Sequence, residues 1–225
     1  MKKILAFLMA ATTCFCAFTA CGDKKDSDDE KTNKKSSSDK DDKSEELDIY
    51  ADVFMDMIDA AKDEDVSKLL RCTLPDLTMD AIENTDSLDV MTESMGSISS
   101  LGLDSISDVE AIAAKECDED IVEGLEKLYS VYSNLFIIME ENDLTYDDIA
   151  SGNIDESVAE EILEPASQLV EVSDVENLDV DISVNIKEAK MVTFKYEGTK
   201  EEAVAYRVDG EDWKIDTVGK EILKY

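Results

Sequence analysis

Histidine is absent from this 225-residue chain, and proline, glycine and tryptophan are scarce, at two, eight and one. Without an imidazole there is no base for a histidine-dependent triad and no histidine ligand for zinc. Nor does the chain contain a G-x-S-x-G elbow, a P-loop or a glycine-rich dinucleotide turn. Basic residues are outnumbered: 22 Lys and Arg face 56 Asp and Glu, a net charge of −34. Such a field repels phosphate backbones and anionic headgroups, so nucleic acid is not an expected partner. It favours solubility, and with it cationic partners or divalent ions. Carboxylate pairs are so common that no pair is diagnostic. Asp147, Asp148 and Asp155 gather around Gly152 but miss the calcium-loop spacing. Neither a metal site nor a cofactor is expected, and no residue is assigned a catalytic role.

What is present starts at the N-terminus. Lys2 and Lys3 precede an uncharged, mostly apolar run from Ile4 to Ala20. A basic start, an apolar middle and a small-residue exit describe a secretory signal segment over residues 1–20. The run is marginal for a membrane span, which needs about 20 residues. Its exit, Phe18-Thr19-Ala20-Cys21-Gly22, resembles the lipobox of bacterial lipoproteins. In that family the cysteine thiol receives a diacylglycerol group, and the chain is cut just before it. The resemblance implies lipidation at Cys21 and a lipid-anchored location on the cell membrane, outside the cytoplasm. Cys14 and Cys16 would be discarded with the signal, as small apolar residues rather than metal ligands.

Residues 22–44, GDKKDSDDEKTNKKSSSDKDDKS, contain no aliphatic or aromatic side chain. Such a segment buries too little to offset its ordering entropy. With Cys21 it reads as a linker over residues 21–45, whose flexible ends lie roughly 25–30 Å apart. Residues 46–225, about 180 in all, suffice for one acidic domain with its own core.

Apolar spacing in that domain predicts a helix over Glu45–Lys62, capped by Ser44, through Leu47, Tyr50, Phe54, Met57, Ile58 and Ala61. A short helix through Leu69 and Leu70 ends before Pro75. Leu88, Met91, Met95 and Ile98 suit a helix interrupted by glycines, and Ile106–Ala114 reads as a short one. Asp118–Glu141 carries the clearest stripe, with acids at its positive end. Thr145–Asp148 has the capping-box pattern. A helix from Asp155 to about Val170 follows, interrupted at Pro165. After Asn177 the apolar period changes to two: Val180, Ile182, Val184 and Ile186, then Val192, Phe194 and Tyr196, then Ala203–Val208. Asp209-Gly210 is a hairpin turn into Asp212–Asp216. The class is α+β: N-terminal and central helices packed on one face of a C-terminal antiparallel sheet of three to four strands.

The ending MVTFKYEGTKEEAVAYRVDGEDWKID resembles the cystatin-like, cone-shaped domains of the nuclear transport factor two-like superfamily, including those of bacterial lipoproteins. The resemblance implies a cone, here with a helical middle over residues 76–170 longer than the family's usual pattern, and Tyr196, Tyr206 and Trp213 become candidates for its cavity lining. Each equally suits a packed sheet. Trp213 in particular reads either as core or as cavity wall. Cys72 and Cys117 are the domain's two cysteines, and either a disulfide or two buried thiols is consistent with them. Three functions remain open. The first is an anchored binding module for a small molecule or envelope protein, with no chemistry of its own. The second is a structural accessory of the envelope, and the third an enzyme using cavity carboxylates and tyrosines.

Overall fold

The computed structural model describes residues 40–85, 87–94, 106–145, 148, 154–155, 157–159, 182–217 and 219. The expectations for the signal segment, most of the linker, Met95, Ile98, and the helix beyond residue 159 lie outside them. The helix α1, Lys40–Lys62, begins inside the segment expected to be linker, so Ser44 lies within the helix and does not cap it. It is followed by α2 (Val66–Arg71), whose Asp65 side chain caps the Lys68 N–H at 3.0 Å. Next come α3 (Asp76–Asn84) and α4 (Ser87–Ser94). Then β1 (Glu110–Glu116) leads into α5 (Glu119–Glu141). There follow β2 (Ile186–Tyr196), β3 (Thr199–Val208) and β4 (Lys214–Ile215). The fold is α+β, with helices packed against a four-stranded antiparallel sheet of order β1-β2-β3-β4.

Two features of the sequence mislead. Of the stretch read as a helix, Ile106–Ala114, residues 110–114 belong instead to strand β1, paired to β2 from Glu110↔Lys195 to Glu116↔Lys190. Alanine favours helix by well under 1 kcal/mol per residue; the edge of β2 offers a full ladder of backbone bonds, and the ladder wins. The second concerns Ile182 to Ile186. Their alternation suggests a separate strand, yet β2 starts only at Ile186 and runs unbroken through Val192 to Tyr196. Residues 182–185 instead run extended along α5. The Ile182 N–H donates to Asn134 Oδ1 at 3.2 Å, and Asn134 Nδ2 donates back to the Ile182 carbonyl at 2.7 Å. The Val184 N–H donates to Ser130 Oγ at 2.8 Å, and that of Ile186 to Glu126 Oε1 at 2.8 Å. Every second residue of an extended chain advances about 6.7 Å, and every fourth of a helix about 6.0 Å. The near match lets one polar stripe of a helix take the place of a partner strand.

The helices cover both faces of the sheet, not one. Successive residues of a strand point to opposite faces. Ala203 and Ala205 join Tyr50, Phe54, Met57 and Ile58 of α1, together with Val192 and Phe194. Val204 and Tyr206 join Leu125, Tyr129, Tyr132 and Phe136 of α5, with Met79 and Ile82 of α3. The β2–β3 turn sets Glu197 and Gly198 at φ 48° and 82°, the left-handed pair that matches strand twist in tight hairpins. After β3, Gly210 at φ 84° is the single left-handed residue of a turn that the Glu211 N–H closes on the Val208 carbonyl at 3.1 Å. The Thr145–Asp148 capping box forms reciprocally: Thr145 donates to the Asp148 carboxylate, and the Asp148 N–H donates to Thr145 Oγ1 at 3.2 Å.

Candidate functional site

The three residues proposed to line a cavity do not converge. Tyr206 lies fully buried on the α5 face. Tyr196 and Trp213 are half-buried on the α1 face, where Tyr196 lies 6.0 Å from Phe54 between ring centroids. Trp213 meets the ring of Tyr50 in a T-shaped contact at 4.9 Å, and the Arg207 guanidinium sits over its ring, 5.2 Å from the centroid. So Trp213 is neither sealed core nor the wall of a shared pocket with Tyr206. It is a partly covered ring in contact with a tyrosine and a cation. Arg207 in turn donates to Glu188 Oε1 at 2.5 Å, its cross-strand neighbour.

Cys72 and Cys117 are free thiols. They pack against different clusters, Cys72 with the α1 face and Cys117 with the α5 face. That placement, on the two sides of the sheet, is why they are not paired. Burial raises both thiols, and Asp118 and Glu116 help push Cys117 up to about 11. Neither is a ready nucleophile near neutral pH. Cys21 lies outside the described residues.

Two polar groupings emerge instead where the chain closes. In the first, the Tyr129 hydroxyl donates to Asp216 Oδ1 at 2.5 Å, and the Gly219 N–H donates to the same oxygen at 2.9 Å. The Tyr206 hydroxyl donates to the Thr73 carbonyl at 2.8 Å, and the two tyrosine rings stack at 4.9 Å. Tyr129, Tyr206 and Asp216 are wholly buried. Burial is the main reason both phenols are held well above their ordinary range, with Asp216 adding to it. Both therefore stay protonated donors. Gly219 presses so closely here that a side-chain carbon would meet Leu125 at 2.3 Å and Asp216 at 2.9 Å. The grouping ties the end of the sheet to α2 and α5 and offers no surface to a substrate.

In the second grouping, Lys214 donates to Asp76 Oδ1 at 2.7 Å and to the Arg71 carbonyl at 3.1 Å, with Glu211 Oε2 at 3.6 Å. Glu211 accepts from the Asp76 N–H at 3.0 Å, at the start of α3, and its carboxyl is raised, chiefly by burial. The lysine is only 3 % exposed, and these partners offset the cost of taking it out of water. Lys214 and Asp216 both escape the sequence reading. They alternate with Trp213 and Ile215 and look like the wet side of a strand. With both faces covered, that side is buried too. The signal available is the pairing of opposite charges two residues apart on a strand beside a tryptophan.

Among the described residues, no group of three or more His, Cys, Asp or Glu is placed to hold a metal ion, and no helix is long and apolar enough to cross a membrane. No family model matches the chain, and no curated protein or solved structure matches it either.

Proposed function

We propose that this chain is a membrane-anchored extracytoplasmic lipoprotein whose folded part serves as a binding or interaction module. The observation that carries the reading is Phe18-Thr19-Ala20-Cys21, placed at the end of an uncharged run and followed directly by a polar segment. The folded part supports the second half. Its tyrosine and carboxylate grouping is sealed, so recognition falls to the outer surface, where acids dominate. The same surface supports a second reading, a structural accessory that docks on another envelope protein. Changing Cys21→Ala should release the chain from membranes or block its processing, and should abolish fatty-acid labelling. A wild-type chain that takes up no labelled fatty acid would sink the anchored reading.

A further inference from the structure

The sheet has two edges, and they are finished differently. At β4 the Ile215 N–H, which faces away from β3, donates to the Cys72 carbonyl at 2.9 Å. That edge is two residues long and occupied. At β1, no strand among the described residues pairs with the outer edge. The register irregularity of β1 is confined to Ala111–Ala113, and from Ala113↔Thr193 to Glu116↔Lys190 the ladder is regular. Ala113 and Ala114 are exposed, and their methyl groups leave room for another backbone. Both faces of the sheet being covered, this edge is where a partner can reach the ladder. Asp108, Glu110, Glu116, Asp118, Glu119 and Asp120 flank it, all exposed; Lys195 and Lys190 of β2 pair with Glu110 and Glu116, and Lys115 lies on β1 itself, so Asp108, Asp118, Glu119 and Asp120 carry most of the free negative charge.

We propose that the outer edge of β1 accepts an extended, basic segment of a partner protein as a fifth strand. The inference deepens the interaction-module reading and rests on it. Unpaired strand edges bind by main-chain hydrogen bonds, with side chains setting the choice of partner. Here the flanking carboxylates select lysine or arginine near both ends of the incoming strand. They also disfavour a second copy of this chain, because like charges juxtaposed across an interface repel.

The test is a titration of the isotope-labelled full chain with a capped Lys-Val-Thr-Val-Thr-Val-Lys peptide, read by amide exchange across Ala113–Glu116. In the free chain the outward amides of this stretch exchange freely; the peptide slows them, and added salt weakens the effect. The counterpart with glutamate at both ends binds at least about tenfold more weakly. Protection of the outward amides without peptide would overturn the proposal, since the edge would then be filled by the chain itself or by a second copy. So would a lack of response to the peptide, binding that leaves β1 unchanged, or equal binding of the acidic counterpart. The lipid anchor does not enter this measurement, so its outcome is independent of fatty-acid labelling at Cys21.

Discussion

The two faces of the sheet are packed by different means. Against α1 the contacts are rings and methyl groups: Phe54 lies on Phe194 at 4.4 Å between centroids, with Val192, Ala203 and Ala205 around them. Against α5 the apolar core is threaded with directed bonds. Thr78 and Ser133 hydroxyls meet at 2.6 Å, Tyr129 donates to Asp216, and Glu126, Ser130 and Asn134 hold residues 182–186. Apolar packing is non-directional and rewards area; hydrogen bonds reward one geometry and penalise every other, because a buried donor left alone is costly. Buried apolar area on both faces supplies stability. The bonds of the second face also fix where the closing segments sit.

The contrast can be broken from either side. The largest loss is expected from Phe194→Ala, a fully buried ring on the apolar face. Urea unfolding should show a cost of about 3–5 kcal/mol, and a cost below about 1 kcal/mol would mean that this face is loosely packed. Asp216→Ala comes next, at about 1.5–3 kcal/mol, because it leaves the Gly219 N–H without its acceptor and the Tyr129 hydroxyl with only the Thr73 carbonyl at 3.4 Å. Its distinguishing mark is local: exchange at Gly219 should rise far more than exchange in α1.

A smaller effect, about 1–3 kcal/mol, is expected from Asn134→Ala, which frees both backbone groups of Ile182. Unchanged exchange at Ile182 in that variant would remove the argument that a helix stands in for a strand there. Trp213→Ala should cost only about 1–2 kcal/mol, since part of the ring is already exposed. Its fluorescence should be quenched by acrylamide to an intermediate degree, and complete shielding would return it to the core.

The smallest effect is electrostatic. Burial raises the carboxyl of Glu211, so the folded state holds its proton where the unfolded state has released it. In that window, from the unfolded value of about 4.3 up through the folded value, stability falls as pH rises. Glu211→Gln should flatten that part of the stability curve, and a steeper fall in the variant would reverse the sign of the argument.

Much of this architecture is legible in the sequence because it depends on periodicity. The stripe Leu125, Leu128, Tyr132, Leu135 and Phe136 dictates α5, and the continuous apolar run Ala203–Tyr206 with Asp209-Gly210 dictates β3 and its turn. The α+β class follows from those periods. Less legible is α3: Thr78, Met79, Ala81 and Ile82 are its buried face, a weak pattern diluted by polar neighbours. The site residues were harder still. Tyr206 and Trp213 attract notice as aromatics, but Tyr129 reads as one of many helix residues and Lys214 as a surface charge.

By itself the sequence determined the elements whose apolar period is strong, the acidity of the surface and the lipobox-like exit at Cys21. Only the tertiary structure decided that Glu110–Glu116 is a strand, that both faces of the sheet are covered, and that Lys214 and Asp216 are buried. The reason is physical. Periodicity is a property of one segment meeting one environment. Edge pairing, the second face of a sheet and the partner of a buried charge each depend on which distant segment arrives there.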